Sequence, residues 1–143
     1  MTRLGHEAIL ASVSLFRHCS ARDLARIAAL AAPLDMRPGA IVVEAGTREA
    51  PLVLVLEGVA IGERRDGTAV QFRRGSHLEA ITLLDGGPAQ STVTAVTPMR
   101  LAVIERRNFL ELIRAAPSIA TRILVAAGEE LHRRGDRLGD SVA

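Results

Sequence analysis

The chain is 143 residues long, and 48% of its residues are hydrophobic and 24% charged, a balance that excludes global disorder. This length fits one globular domain, and we expect a single domain over residues 1–143. All 18 basic residues are arginine and the formal net charge is only +2. The pI is nevertheless about 9.8, because guanidinium groups stay protonated at pH values where lysine would lose its charge. Because acidic residues are interspersed among the arginines, we expect no basic face for direct nucleic-acid binding.

The few aromatic, cysteine and histidine residues exclude further classes of binding site. All three aromatic residues are Phe, which predicts an aliphatic core without stacking platforms for single-stranded nucleic acid. Cys19 is the single cysteine, which excludes an intramolecular disulfide and favours a cytoplasmic location. His18 and His77 have neither a paired ligand four positions away nor a cysteine pair, so we predict no metal or haem cofactor. The sequence shows neither a signal peptide nor an apolar run long enough for a membrane span.

The first part of the chain carries a helical pattern. Apolar residues recur at steps of three and four positions between Leu4 and Ala32, which predicts two helices over about residues 5–32. Ser20 followed by Asp23 is typical of a capping box and predicts that the second helix begins there. We expect this helix to run to about Ala31 and to be stopped by Pro33.

Residues 34–105 have a β-type sequence pattern, in which short strand-like runs are separated by glycine-containing turns. This spacing predicts a β-sandwich or barrel. Asp66 and Gly67 mark the clearest hairpin turn, because glycine accepts the positive φ that a tight turn needs. The apolar segment from Leu78 to Leu84 interrupts the β pattern and predicts a short inserted helix.

Helical patterning returns after Glu105 and predicts two helices, over about residues 106–115 and 118–138. In the second of these, a heptad-like series predicts a dimer helix formed by Leu124, Ala127, Leu131 and Leu138. The alternative, an amphipathic helix that packs on its own domain, remains open at this point.

The order of these elements, together with the turn glycines Gly39, Gly46 and Gly58 and the segment GSHLEAITLLDGGPAQSTVTA, resembles the cyclic-nucleotide-binding domain of the catabolite-activator-like (Crp-like) family. The resemblance implies a mainly β fold with flanking helices, in which a double-stranded β-helix, or jelly roll, contains a short phosphate-binding cassette helix. It also implies cAMP as the ligand.

The cassette departs from the family at the residues that would bind the nucleotide. The family typically has Gly-Glu at the start of the cassette helix, the Glu binding the ribose 2′-hydroxyl, and later an Arg that neutralises the phosphate. Alignment on LLDGGP places Glu79 at the glycine, Ala80 at the glutamate, Ala89 at the arginine and Gln90 at a following Ser or Thr. Losing both contacts weakens binding on the order of 100-fold or more. The candidate ligand-binding residues are Gly75, Leu78, Glu79, Ala80, Ile81, Pro88, Ala89, Gln90 and Ser91.

These observations predict a stand-alone regulatory module with weak or absent cAMP binding that acts by protein contact and forms a homodimer. No nucleophile elbow or paired acids indicate an enzyme. A genuine cAMP or cGMP receptor remains an alternative if Arg73, Arg74 or Arg100 reaches the phosphate, if Glu79 shifts to the ribose position, or if backbone amides hold the anion. The sensor fragment of a longer regulatory protein and a scaffolding protein with a vestigial pocket are further alternatives.

Overall fold

The computed structural model describes the backbone of residues 2–64 and 66–142 and, within them, the side chains of residues 6–64, 66–133 and 135. The helices are α1 (Thr2–Ser12), a short 3-10 helix (Ser14–Phe16), α2 (Ala21–Ala28), α3 (Ala80–Asp85), α4 (Arg106–Ala115) and α5 (Pro117–Val142). The strands are β1 (Ala32–Met36), β2 (Ile41–Val43), β3 (Leu52–Glu57), β4 (Ala60–Arg64), β5 (Ala69–Phe72), β6 (His77–Leu78), β7 (Ser91–Ala95) and β8 (Met99–Ile104).

The strands form two antiparallel sheets of four strands, in the orders β1-β8-β3-β6 and β2-β7-β4-β5. The central strand β3 is buried on both faces. Val53 and Val55 point into the interior between the two sheets, whereas Leu52 and Leu54 point toward the helices. This double burial explains the uninterrupted apolar run of β3, which lacks the alternation of a half-exposed strand. The prediction of a mainly β fold with flanking helices is confirmed.

The core has two compartments, one on each face of the first sheet. The roll interior lies between the sheets and is filled by aliphatic side chains such as Val43, Val93 and Leu101. The helical compartment lies between the first sheet and the helices, and contains Phe16 and Phe109 with their ring centroids 6.1 Å apart. The aliphatic core predicted from composition is therefore supplemented by a pair of phenylalanine rings on the helical side, and Phe72 packs against the roll interior.

The predicted capping box is confirmed at the start of α2. Ser20 Oγ accepts a hydrogen bond from the Asp23 backbone N–H at 3.1 Å, and the Asp23 carboxylate accepts one from the Ser20 N–H at 2.9 Å. The predicted end of the helix was wrong, because α2 ends at Ala28 and two turn-like backbone bonds follow. Pro33 lies within β1, an edge strand of the first sheet, where a missing N–H donor is tolerated.

The other local predictions are also confirmed. Asp66 and Gly67 lie in the turn between β4 and β5, and Gly67 has the expected positive φ of 85°. The inserted helix is α3, although Leu78 at its predicted start belongs to β6. Within the described range, no helix combines the length and the apolar character needed to cross a bilayer.

Helix α5 packs one face on its own domain, through Ile119, Ile123 and Ala126. Ion pairs join it to the N-terminal segment, with Arg122 binding Asp23 and Arg17 binding Glu129. The His18 ring is hydrogen-bonded to the same Glu129 carboxylate at 2.7 Å. The heptad residues divide between two environments. Ala127 is partly buried against the helical compartment, whereas Leu124 and Leu131 are each 72% exposed. The side chain of Leu138 lies outside the described residues.

Candidate ligand site at the cassette helix

The cassette helix α3 begins at a residue with unusual backbone geometry. Glu79 precedes the helix with φ of 67°, in the left-handed region where side chains other than Gly are strained. Its carboxylate accepts a hydrogen bond from Thr82 Oγ1 at 2.6 Å, one turn into the helix. This bond holds the carboxylate beside the helix start, where the helix dipole favours negative charge.

The end of α3 is held by Arg106 at the start of α4. The Arg106 guanidinium donates to the carbonyl oxygens of Leu83 at 3.1 Å and Leu84 at 3.0 Å, which are among the helix-terminal carbonyls without an intrahelical partner. Its third contact is the carboxylate of Glu49, in the β2–β3 loop, at 3.0 Å. A Cβ on Gly86 would stand 3.1 Å from this guanidinium, so the close approach suits glycine at that position. The cassette is thereby joined to the C-terminal helices.

Sequence reasoning missed Arg106. Its partners Leu83, Leu84 and Glu49 lie 23, 22 and 57 positions away in the chain, so no local spacing pattern marks it. A basic residue at a helix start runs against the usual preference for acidic residues there, and this mismatch was the one signal available.

The candidate residues divide between two sides of the first sheet. In β6, Leu78 pairs with Val53 and packs into the roll interior, whereas His77 pairs with Leu54 and faces the helical side. Ala89 is 3% exposed and also belongs to the roll interior. The position aligned with the family's phosphate-binding arginine therefore lies in an apolar cluster.

The remaining cassette residues line an outer cleft of about 350 Å³ between α3, the short 3-10 helix and α5. The predicted residues that it brings together are Glu79, Ala80, Ile81, Pro88 and Gln90. Gly75 and Ser91 lie outside this cleft. Gly75, with φ of 92°, forms the turn before β6, and Ser91 begins β7 opposite Arg64.

Within the part of the chain that the structure describes, neither side of the cassette offers a fully buried cation to a phosphate. Among the described residues, the buried polar or charged side chains are His6, Asp23 and Thr82, and all three lie on helices. The outer cleft is lined by Glu79, Asp85 and Glu130, of which Glu130 is ion-paired with Arg133. Burial lowers the pKa of His77, which keeps this lining residue neutral near pH 7. The electrostatics of the outer cleft therefore disfavour an anion.

The arginines considered as substitutes for the missing phosphate contact also lie elsewhere. Arg73 and Arg74 are exposed at the end of the β4–β5 hairpin, and Arg73 donates to Gln71. Arg100 pairs with Asp35 on the helical face of the first sheet, opposite to the face that carries Leu101 into the roll interior. Within the described part of the chain, no group of three or more His, Cys, Asp or Glu side chains is arranged to hold a metal ion.

Comparison with known proteins identifies the family. The family described as Cyclic nucleotide-binding domain matches residues 33–116, which is more than half of the chain. The chain belongs to the cyclic nucleotide-binding domain family. The predicted family resemblance is confirmed, and the matched segment contains the roll except Ala32, the first residue of β1, together with the cassette helix and α4.

Solved structures show the same fold. The N-terminal domain of a transcriptional regulator from Streptomyces coelicolor A3(2) matches with a TM-score of 0.80 at 22% identity, covering 91% of this chain and 94% of that one. The catabolite activator protein of Thermus thermophilus matches with a TM-score of 0.66 at 21% identity, covering 90% of this chain and 62% of that one. These likenesses confirm the jelly-roll fold of a cyclic nucleotide-binding domain.

A curated relative is much longer than this chain. A protein of Rhodopseudomonas palustris named "Putative potassium channel protein" is 29% identical over 119 residues, which cover 81% of this chain and 29% of that protein. The chain therefore spans less than a third of the length of this relative. The match to the family over residues 33–116 supports the predicted module of the cyclic nucleotide-binding type.

Proposed function

We propose that this cyclic nucleotide-binding domain binds cAMP weakly or not at all and acts by protein contact, as a homodimer formed through α5. The observation that carries the proposal is the burial of Ala89 among the aliphatic side chains of the roll interior. The family resemblance places the phosphate-binding arginine at this position. A methyl group cannot neutralise a cyclic phosphate, and an anion without a buried partner is costly to remove from water.

The start of the cassette helix supports the same proposal. The resemblance places the ribose-binding glutamate at Ala80, which offers no side-chain hydrogen bond. Glu79, which precedes it, directs its carboxylate to Thr82 and lines the outer cleft rather than the interior. A carboxylate at a helix start also competes with a phosphate for the same favourable end of the helix dipole.

The output of the module is proposed to be a change in the position of α5. Arg106 joins the cassette to the start of α4, and α4 leads directly into α5 through Ala116. The outer cleft touches both the cassette and Glu130 of α5, so an occupant there would contact both elements at once. A ligand or partner shifts such an equilibrium by its difference in affinity for the two positions.

Calorimetry with cAMP and cGMP on the nucleotide-free protein tests the ligand half of the proposal. We expect a Kd no tighter than tens of micromolar, since the two missing side-chain contacts reduce affinity by about 100-fold. The triple variant Glu79→Gly, Ala80→Glu and Ala89→Arg restores the contacts implied by the family and is expected to bind cAMP more tightly. Glu79→Gly alone is the matched control: it removes the competing carboxylate and should strengthen binding slightly, whereas the triple variant should bind clearly more tightly than this control.

Submicromolar binding to the native chain would establish a genuine second-messenger receptor and reject the proposal. A triple variant that folds but binds no better than the control would mean that loop geometry, and not the two side chains, limits binding.

A further inference from the structure

Another cleft, of about 430 Å³, lies on the helical side of the first sheet and away from the cassette. Its walls come from α1, from the end of α2 with the turn that follows, and from the outer face of β3 and β8. The residues that matter here are His6, Ala28, Ala31, Leu56 and Arg100. The cleft is separate from both the roll interior and the outer cleft at the cassette, and nothing in the proposed function uses it.

The His6 side chain is the unusual member of this lining. It is only 8% exposed, and its Nδ1 is buried without a hydrogen-bond partner among the described residues. Burial also lowers the pKa of His6, so the ring is neutral near pH 7. Buried polar atoms in native proteins nearly always have a partner, and an unpaired one calls for an explanation. Nδ1 itself has almost no surface open to solvent, so a bound molecule with a polar oxygen would supply that partner after a small rotation of the ring.

Arg100 brings a cation to the same cleft. Its Nε donates to Asp35 at 3.3 Å across the β1–β8 pair, and about half of the side chain is exposed. Because a guanidinium has five N–H donors, it can hold Asp35 through Nε and still offer its terminal N–H groups to another carboxylate. Planar, two-pronged contact with a carboxylate is the geometry that arginine favours.

The other walls are aliphatic and small. Ala28, Ala31 and Leu56 border the space, together with Pro33, and none of these side chains can donate a hydrogen bond. Such walls suit a short saturated chain. An imidazole and a guanidinium beside aliphatic walls together specify a molecule with one acidic and one apolar end.

We propose that this cleft binds a small carboxylic acid with a short aliphatic chain. The carboxylate lies against Arg100, the His6 ring supplies a further hydrogen bond, and the chain packs on Ala28, Ala31 and Leu56. Asp35 and Glu57 face Arg100 from the two neighbouring strands and compete for its charge. This competition predicts that removing a carboxylate beside Arg100 strengthens binding.

The experiment is an NMR titration of the full chain labelled at its histidine rings, with hexanoate as the probe. Hexan-1-ol and hexylamine are the matched probes of equal chain length and different charge. We expect hexanoate to shift the His6 ring signals saturably and the other two probes to shift them far less. The signals of His77 and His18, which lie outside the cleft, should not follow.

Two variants that should change hexanoate affinity in opposite directions distinguish a binding role of Arg100 from a purely structural one. Arg100→Gln should weaken hexanoate binding about tenfold, the value of one charge-assisted contact. Asp35→Asn should strengthen it several-fold, because the guanidinium loses a competitor. Arg48→Gln removes an exposed arginine of the β2–β3 loop and is the control that should change nothing.

The proposal is overturned if hexanoate produces no saturable shift of the His6 signals in the native chain. It is also overturned if hexylamine binds as well as hexanoate, or if Arg100→Gln and Arg48→Gln have equal effects. Arg100 and Asp35 are exposed side chains, so both variants are expected to fold, and far-UV circular dichroism checks this.

Discussion

At the scale of single residues, the most informative position is Glu79, where a carboxylate occupies a left-handed backbone conformation. We expect Glu79→Gly to be more stable than Glu79→Ala by about 1 kcal/mol, because both lose the bond to Thr82 but only glycine relieves the strain at positive φ. Urea denaturation of the two variants measures this difference in the free energy of unfolding. Equal midpoints would mean that the backbone at residue 79 is not strained.

Thr82→Val is the companion variant for the same position. It removes the hydroxyl that donates to the Glu79 carboxylate and leaves the backbone conformation unchanged. The loss in the free energy of unfolding of Thr82→Val measures the contribution of this hydrogen bond alone. The effect of Glu79→Gly can then be divided between the lost hydrogen bond and the relieved backbone strain.

The alignment behind the family resemblance had placed Glu79 at a family glycine, and the positive φ gives that alignment a physical reason. What the sequence could not reveal was the direction of the neighbouring side chains. Leu78 points into the roll and His77 points out of it, because the pairing of β6 with β3 sets which residue faces which compartment. That register depends on partners more than twenty positions away, so local patterns do not contain it.

At the scale of elements, the contact between α3 and α4 depends on one side chain. Arg106→Gln is expected to destabilise the fold by about 2 kcal/mol, since it removes the guanidinium that holds the end of α3 and leaves the Leu83 and Leu84 carbonyls without that donor. Thermal or denaturant unfolding measures the loss.

The adjacent Arg107 provides the matched control for this prediction. Arg107 is exposed and is the second residue of the same helix, so Arg107→Gln should change stability by less than about 0.5 kcal/mol. If the two variants unfold alike, Arg106 does not hold the cassette. Hydrogen exchange of the α3 amides gives a second readout, because only Arg106→Gln should speed exchange there.

Elements governed by nearby residues were predictable from the sequence. The Ser20–Asp23 capping box, the Asp66–Gly67 hairpin and the bounds of α4 all follow from contacts within a few positions. The end of α2 and the position of Pro33 in β1 were not predictable in this way. Their conformation is set by the pairing of β1 with the neighbouring strand β8, whose register joins Pro33 to Ala102, far later in the chain.

At the scale of the whole molecule, the packing of α5 leaves part of its apolar surface uncovered. The domain's own core is packed by one face of α5, which carries Ile119, Ile123 and Ala126. The exposed Leu124 and Leu131 lie outside this packed face, so folding of one chain does not need them. Gly128 lies near them on the helix and has nothing within 4 Å of the place where a Cβ would stand. Leucines seven residues apart with a glycine between them suit the close approach of a second α5.

Leu131→Arg tests this surface, because it places a charge in the proposed seam without touching the packed face of α5. Burial of each leucine contributes about 1.5 kcal/mol or more, and a symmetric dimer contains two copies, so association should weaken about 100-fold. Light scattering should give a mass near twice 15.2 kDa for the native chain and a mass near 15.2 kDa for the variant at the same concentration.

Val125→Arg is the control for that measurement, since Val125 is also exposed but follows Leu124 by one residue and therefore points to a different side of the helix. It should leave the dimer intact. A native chain that scatters as a monomer, or a dimer that survives Leu131→Arg, would remove α5 as the interface. The exposed leucines would then have to contact a different protein, and the module would have to act through that partner rather than through a second copy of itself.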